Sequence, residues 1–259
     1  MQRSTLAASS SPGGKWPLED KRILITGAAK RIGRSIALHL HEKGARVLLH
    51  YGHSRQAAEE VARACAWRGR PAPLYQADLS KVDEIERMFS EIGESGDGLD
   101  GLVNNAGRFK RVPALEMTEA DWDYIHSVNL KAVFFCCQQA AKLMLERETG
   151  GRIVNLSSLG GIRAWGDYAH YCASKAGVIH LTRSLAKAFS PAITVNSVAP
   201  GIVPFEAHDQ PHVLAGIQLT PAGRAGSGED IAETVAFLMS QSGFVTGQTV
   251  AVDGGLNLV

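Results

Sequence analysis

The segment Thr26-Gly-Ala-Ala-Lys-Arg-Ile-Gly33 decides the fold, because it joins an apolar run, Arg22–Thr26, to an amphipathic stretch, Arg31–Lys43. The apolar run predicts a buried strand, and the amphipathic stretch predicts a helix. Gly27 permits a tight turn between them, and Gly33 lets the helix pack closely on the strand. The free N–H groups at the start of such a helix can bind a diphosphate.

The same alternation continues to the end of the chain. Further strands are predicted at Arg46–Tyr51, Pro73–Gln76, Gly101–Asn104, Arg152–Leu156, Ala192–Val198 and Thr249–Val252. Further helices are predicted at Ser54–Arg68, Val82–Ile92, Thr118–Arg147, Tyr168–Phe189 and Ser227–Met239. Wholly apolar strands that alternate with helices are typical of a parallel sheet covered on both faces. We therefore predict an α/β fold with a single doubly wound parallel sheet of the Rossmann type.

The sequence shows no internal repeat and no linker in mid-chain, so we expect one domain over residues 21–259. Residues 1–20 are rich in Ser, Gly and Pro and are expected to form a flexible leader. A formal net charge of +1 gives no basis for binding nucleic acid or a membrane surface. The longest apolar run, Ala132–Cys137, is too short to cross a bilayer. We expect a cytoplasmic protein whose four cysteines are reduced.

Polar and small residues follow the predicted strands, where sheets of this kind bind their ligands. Tyr171-Cys-Ala-Ser-Lys175 places a phenol and an ammonium on one helix face. A neighbouring positive charge favours the phenolate and lowers the pKa of the tyrosine, which suits it for proton transfer near neutral pH. Other residues at strand ends include Asp78-Leu79, Asn104-Asn-Ala-Gly107, Ser157-Ser158 and Pro200-Gly201.

These motifs, in this order, resemble those of the short-chain dehydrogenase/reductase family over about Lys21 to Val259. The resemblance implies Asn129, Ser158, Tyr171 and Lys175 as catalytic residues, with Ser158 rather than Ser157 because it lies thirteen residues before Tyr171. It also implies a homotetramer. Two features depart from the family pattern. Arg31 occupies the place of the middle Gly in TGxxxGxG, as in pteridine reductases, and Pro204-Phe-Glu-Ala stands where many members have a Thr.

The end of the second strand indicates the cofactor. An acid there would repel a ribose 2′-phosphate, but the sequence has His50-Tyr-Gly-His-Ser-Arg55. Basic and hydroxyl side chains nearby could surround the phosphate with charge-assisted donors, so we predict NADP(H). The predicted cofactor-binding residues are Gly27, Lys30, Arg31, Ile32, Gly33, Tyr51, Ser54, Arg55, Asp78, Leu79, Asn105, Ala106, Gly107, Tyr171, Lys175, Pro200, Gly201 and Ile202.

Three functions remain open. A 3-oxoacyl or similar ketone reductase is favoured by Ser158, since a hydroxyl suits the polarisation of a carbonyl. A pterin reductase is favoured by the TGAAKRIG motif, and a non-catalytic dinucleotide sensor is the alternative from another class. We expect Phe109, Tyr168 and Phe205 to line the substrate pocket, and residues 205–219 to act as a mobile lid. His208 and His212 lack a third ligand at metal-binding spacing, so no metal is expected.

Overall fold

The structure of this protein is a computed structural model, and it describes residues 18–146, 150–204 and 211–259. Seven parallel strands form one sheet in the order β3-β2-β1-β4-β5-β6-β7. The strands are β1 Arg22–Ile25, β2 Arg46–Tyr51, β3 Leu74–Gln76, β4 Gly101–Asn104, β5 Gly151–Leu156, β6 Ile193–Pro200 and β7 Thr249–Val252. This confirms the predicted doubly wound α/β fold.

In the described part of the chain there are eight α-helices, most of which pack on the two faces of the sheet. They are α1 Arg31–Glu42, α2 Arg55–Ala64, α3 Val82–Glu94, α4 Glu119–His126, α5 Ala132–Glu146, α6 Ala169–Phe189, α7 Pro211–Leu219 and α8 Gly228–Ser240. Within the described ranges, no helix has the length and apolar character needed to cross a membrane.

The continuous apolar pattern of β1 follows from burial on both faces. Ile23 and Ile25 lie in the core beneath α1 and α8, whereas Leu24 lies in the opposite core, beneath α3, α5 and α6. Successive side chains of a strand point to opposite faces, so a strand covered twice needs apolar residues at every position. The two cores fix the sheet, and the sheet in turn fixes the loops at its carboxyl edge.

Several boundaries differ from those predicted, and local backbone explains two of them. Helix α2 ends four residues earlier than predicted because Arg68 (φ +49°) and Gly69 (φ +77°) turn the chain back in a Trp67–Arg70 bridge. The predicted long helix is broken by a π-helical segment, Ser127–Lys131, between α4 and α5.

The sequence located two helix starts correctly. Thr118 and Ser227 each form a capping box at the start of α4 and α8. The segments that follow β4 and β6 at the carboxyl edge therefore lead to helices, α4 and α8, with well-defined beginnings.

The structured part of the chain begins before Lys21. Leu18 is buried in the core, and the Asp20 N–H donates to the Gly44 carbonyl at 3.1 Å. The rest of the leader predicted at residues 1–20 lies outside the described residues. Phe205 and His208 lie outside them too, whereas the second part of the predicted lid forms α7.

Candidate active site

A cleft of about 890 Å³ runs along the carboxyl edge of the sheet. Its position is the one expected for ligands of an open α/β sheet. Fourteen of the predicted cofactor-binding residues line it: Gly27, Lys30, Arg31, Ile32, Gly33, Asp78, Leu79, Asn105, Ala106, Gly107, Tyr171, Lys175, Pro200 and Gly201. Residues from the segments after β1, β3, β4 and β6 and from helix α6 therefore meet in one cavity.

The turn after β1 is held against the turn after β4 by hydrogen bonds. The Thr26 hydroxyl accepts from the N–H groups of Asn105 (2.9 Å) and Ala106 (3.0 Å). The Asn105 side-chain amide donates to the carbonyls of Thr26 (2.9 Å) and Gly27 (3.2 Å). A Cβ placed on Gly33 would lie 2.2 Å from the Gly27 oxygen, so only glycine fits at that position. The two loops form a single rigid unit.

The beginning of α1 has the features of an anion-binding site. Lys30, the residue preceding the helix, makes no side-chain cap, and the first turn contains no acidic residue. The N–H groups of this turn are oriented toward the cleft and carry the positive end of the helix dipole. Arg31 lies beside them with φ +54°, a left-handed conformation that costs a non-glycine residue some strain.

His50, at the end of β2, links the phosphate turn to the loop after β3. Its Nδ1 accepts from the Gly27 N–H at 3.0 Å, so its Nε2 carries the proton that bonds the Ala77 carbonyl, also at 3.0 Å. Both bonds require a neutral ring. Burial lowers the pKa of His50 to about 4, with the bond to Ala77 opposing that shift.

This burial predicts a loss of stability in mild acid. The unfolded chain binds a proton at His50 near pH 6.5, whereas the folded chain does so only near pH 4. The unfolded state therefore binds more protons in this window, and about 3 kcal/mol of stability is expected to disappear as the pH falls from 7 to 4. Urea unfolding at several pH values gives the free energy of unfolding of the wild type and of His50→Asn. We expect this free energy to fall less steeply between pH 7 and pH 4 in His50→Asn.

His53 is exposed and provides the control. We expect His53→Asn to show the same pH dependence of the free energy of unfolding as the wild type. An equally steep acid dependence in His50→Asn would show that other groups cause it.

Tyr171 and Lys175 meet at the floor of the cleft, as the helix spacing predicts. Lys175 is buried, and its ammonium lies 6.0 Å from the centre of the Tyr171 ring. It donates to the Leu156 carbonyl at 2.7 Å, which ties α6 to the end of β5. Ser158 hydrogen-bonds the Tyr171 side chain and accepts from the Gly160 N–H at 3.0 Å.

The titration of this pair differs from the expected one. Burial raises the pKa of Tyr171 to about 12, and the hydrogen bond from Ser158 opposes that rise. Burial also lowers the pKa of Lys175 to about 8, and its proton-donating bond goes to a carbonyl rather than to the phenol. The expectation that Lys175 lowers the tyrosine pKa is therefore not met by these side chains alone. A further positive charge in the cleft is needed.

Asn129 lies in the π-helical segment and is fully buried. Its Oδ1 accepts from the Arg108 N–H at 2.7 Å, and its amide donates to the Arg108 carbonyl at 2.9 Å. A Cβ on Gly107 would lie 3.5 Å from Asn129 Oδ1 and 3.7 Å from Lys175 Nζ. Asn129 therefore borders the lysine across Gly107. The π-helical segment is of the kind often found at functional sites.

Ser157 and Ser158 have separate tasks. The Ser157 hydroxyl donates to the Val198 carbonyl at 3.0 Å and accepts from the Ser197 hydroxyl at 2.7 Å, which joins β5 to β6. Ser158 is the serine whose side chain hydrogen-bonds Tyr171.

Aromatic rings surround the reactive phenol. Phe109 stacks on Tyr168 with 4.7 Å between ring centres and meets Tyr171 edge-on at the same distance. Trp165 lies parallel to Tyr171 at 6.1 Å. Phe109, one of the predicted pocket residues, lines the cleft, and Tyr168, another, stacks on it. Trp165 was not predicted.

Four predicted cofactor residues do not line the cleft: Tyr51, Ser54, Arg55 and Ile202. Tyr51 is buried with Ala29 and Ala58, and the Arg55 guanidinium donates to Glu59 at 3.0 Å. The side chain of Ile202 packs against Gly216 of α7.

Other residues line the cleft without having been predicted, among them His50, His53, Arg108, Tyr124 and Val203. Arg108 could have been suspected, since it directly follows the Asn104–Gly107 motif. Tyr124 had no sequence signal. It lies in α4 and reaches the cleft beneath the Arg108 guanidinium, 4.3 Å from its ring centre.

The fold and the site together define an oxidoreductase of the dinucleotide-binding α/β class. A family model described as enoyl-(acyl carrier protein) reductase matches residues 27–257. The chain belongs to the short-chain dehydrogenase/reductase family.

Two curated relatives illustrate the range of this similarity. The 3-oxoacyl-[acyl-carrier-protein] reductase FabG of Staphylococcus aureus is 42% identical over 241 residues, which cover 91% of this chain and 98% of that protein. The 3beta-hydroxysteroid dehydrogenase 1 of Eggerthella lenta is 37% identical over 248 residues, covering 93% and 95%. Among solved structures, a short-chain dehydrogenase/reductase from Serratia marcescens superposes with a TM-score of 0.87 at 33% identity, covering 93% of this chain and 99% of that one.

Proposed function

We propose that this protein is an NADPH-dependent reductase of a ketone, with Tyr171 as the proton donor. The observation that supports this most is the meeting of Tyr171, Ser158 and Lys175 at the floor of a cleft that begins at the uncapped N-terminus of α1. A dinucleotide-binding protein without catalysis would have no need for a buried lysine beside a tyrosine and a serine. The family relatives include reductases and dehydrogenases of carbonyl and hydroxyl groups.

The residues present fit a nicotinamide dinucleotide. The N–H groups of the first turn of α1 would hold its diphosphate, and Asp78 would hold the adenine end. Gly107 leaves open the space beside Lys175 and Asn129 that a Cβ would fill. The bound coenzyme supplies a hydride, while the carbonyl oxygen receives hydrogen bonds from Ser158 and Tyr171.

The phenol of Tyr171 delivers its proton to the substrate oxygen as negative charge develops there. A pKa of about 12 keeps Tyr171 protonated at neutral pH, which suits the acid required for reduction. Lys175, with its pKa lowered to about 8, is able to give up a proton near neutral pH and to restore the phenol. Asn129 fixes the backbone of Arg108 and so keeps Gly107 clear of the lysine.

We propose NADPH rather than NADH because Lys30, Arg31 and His53 border the cleft near the end of β2 and no carboxylate follows that strand. Ser54 and Arg55, predicted from the sequence to bind the cofactor, directly follow His53 in the chain. Arg55 could join it by leaving Glu59, since exposed ion pairs of this kind are worth little. We also propose a cytoplasmic homotetramer, in keeping with the family resemblance.

A pterin reductase is the second candidate. It is favoured by Arg31 and Phe109, which both line the cleft and could hold a flat heterocycle between a cation and an aromatic face. Pterin reductases are expected to have an acidic residue where this chain has Ser158, so Ser158 favours a ketone substrate over a pterin.

The first test follows NADPH absorbance with a linear 3-oxoacyl thioester, cyclic ketones and a dihydropterin. We expect reduction of ketones with NADPH, slower reduction with NADH, and none of the pterin. Pterin turnover without ketone turnover would move the assignment to the second candidate. Binding of NADPH without any turnover would favour the sensor.

A further inference from the structure

We propose that the substrate is a ketone with a planar aromatic ring near its carbonyl group, and that this ring stacks on Phe109. The inference rests on the proposed ketone reduction and adds to it the class of compound reduced. Four aromatic side chains enclose the reaction centre, Phe109, Trp165, Tyr168 and Tyr171, and Phe109, which lines the cleft, remains 60% exposed.

The geometry leaves one ring face for a ligand. Phe109 uses one face on Tyr168, with an interplanar angle of 16°, and touches Tyr171 with its edge. Stacking prefers offset parallel rings at such distances, so the exposed face of Phe109 is a ready surface for a further flat ring. A carbonyl on a ring stacked there would lie close to the phenol, because Phe109 and Tyr171 are separated by 4.7 Å between ring centres.

The loop that carries Phe109 is held in place from both ends. The Arg108 N–H donates to Asn129 at 2.7 Å, and the Val112 N–H donates to the Asp167 carbonyl at 2.9 Å. Asp167 directly precedes Tyr168, so this second bond also fixes the stacked pair. A ring that is already held before binding loses little conformational entropy when a ligand stacks on it.

Three basic side chains on the loop beside Phe109 each face a carboxylate. Lys110 pairs with Asp121, the Arg111 guanidinium donates to Asp167 at 2.9 Å, and Arg108 lies 3.9 Å from Asp78. The three cations therefore act mainly as anchors for the loop.

Trp165 closes the other side of the phenol. A Cβ on Gly160 would lie 2.8 Å from the Trp165 ring, so the indole rests on the Gly160 backbone and cannot approach further. Its plane is within 7° of that of Tyr171. Phe109 and Trp165 therefore border the phenol with flat apolar surfaces on two sides.

The test compares 2-tetralone with trans-2-decalone, which share a fused bicyclic skeleton and an unconjugated ketone but differ in one aromatic ring. We expect kcat/KM for 2-tetralone to be about tenfold higher, the order of one or two aromatic contacts. In Phe109→Leu this preference should fall severalfold, while Phe109→Tyr, which keeps the ring, should retain it. Phe244→Leu changes an exposed phenylalanine outside the cleft and is the matched control.

Calorimetric binding of both ketones in the presence of NADP⁺ separates this inference from the proposed function. A preference for 2-tetralone that depends on Phe109, without turnover of any ketone, would leave the ring site standing and overturn only the reduction. Equal handling of the two bicyclic ketones by the wild type, or a preference unaltered in Phe109→Leu, would overturn the ring site. A much higher kcat/KM for acetoacetyl-coenzyme A than for 2-tetralone would also overturn the ring site.

Discussion

Tyr171→Phe is expected to lower kcat for ketone reduction by a factor of about 10²–10⁴, the contribution typical of a positioned acid. The substitution removes only the hydroxyl, so the ring contacts with Phe109 and Trp165 remain. The hydrogen bond to Ser158 is lost together with the proton. The measurement is single-turnover oxidation of bound NADPH with saturating ketone, alongside NADPH binding by fluorescence titration, which should hardly change.

Tyr168→Phe is the comparison for this experiment. It removes a hydroxyl from the neighbouring ring, which stacks on the same Phe109, and it should cost far less activity. A Tyr171→Phe enzyme with nearly full turnover would reject the acid role of Tyr171. A Tyr171→Phe enzyme that no longer binds NADPH would show that the phenol mainly supports the coenzyme site.

The sheet could be predicted because each strand is short, mainly apolar and bounded by turn residues. Strands β2, β4 and β7 have the predicted bounds, and β1, β3 and β5 differ from them by one residue. Burial on two faces leaves a continuous apolar signal, which depends on local sequence alone. Helix α7 was not predicted as a helix, and its residues were assigned to the lid.

Interruptions of helices and the hydrogen-bond partners of side chains in the site were harder to predict. The π-helical segment at Ser127–Lys131 has no local signature, since it depends on Asn129 reaching the backbone of Arg108. His50 looked like the last part of an apolar strand. Its bonds to Gly27 and Ala77 exist only because β2 lies between β1 and β3 in the sheet.

The pKa values of Tyr171 and Lys175 depend on how deeply the side chains are buried rather than on their spacing in the sequence. The i, i+4 relation correctly placed Tyr171 and Lys175 on one face of α6, but it carries no information about desolvation. Burial raises the pKa of one and lowers that of the other, which reverses the expected effect on the phenol.

Gly33→Ala is expected to abolish measurable NADPH binding and to destabilise the fold by about 3 kcal/mol, the upper range for overpacking in a tight contact. A Cβ at this position would lie 2.2 Å from the Gly27 carbonyl oxygen and 2.5 Å from the Asn105 amide nitrogen. These atoms belong to the hydrogen-bonded unit that joins the turns after β1 and β4. Since backbone cannot rotate away as a side chain can, α1 must move off the sheet, and its N–H groups then leave the diphosphate position.

Gly52→Ala tests whether the effect comes from this contact or from any methyl group added to the cleft. Gly52 also lines the cleft, but a Cβ there would meet only the Ala77 carbonyl oxygen, at 3.9 Å, which is ordinary van der Waals contact. Urea unfolding and NADPH titration of both variants give the two quantities separately. Because the added methyl is identical, a Gly33→Ala protein as stable as Gly52→Ala and with equal NADPH affinity would mean that α1 is free to shift. The rigid unit formed by Thr26, Gly27 and Asn105 would then not be what positions the coenzyme.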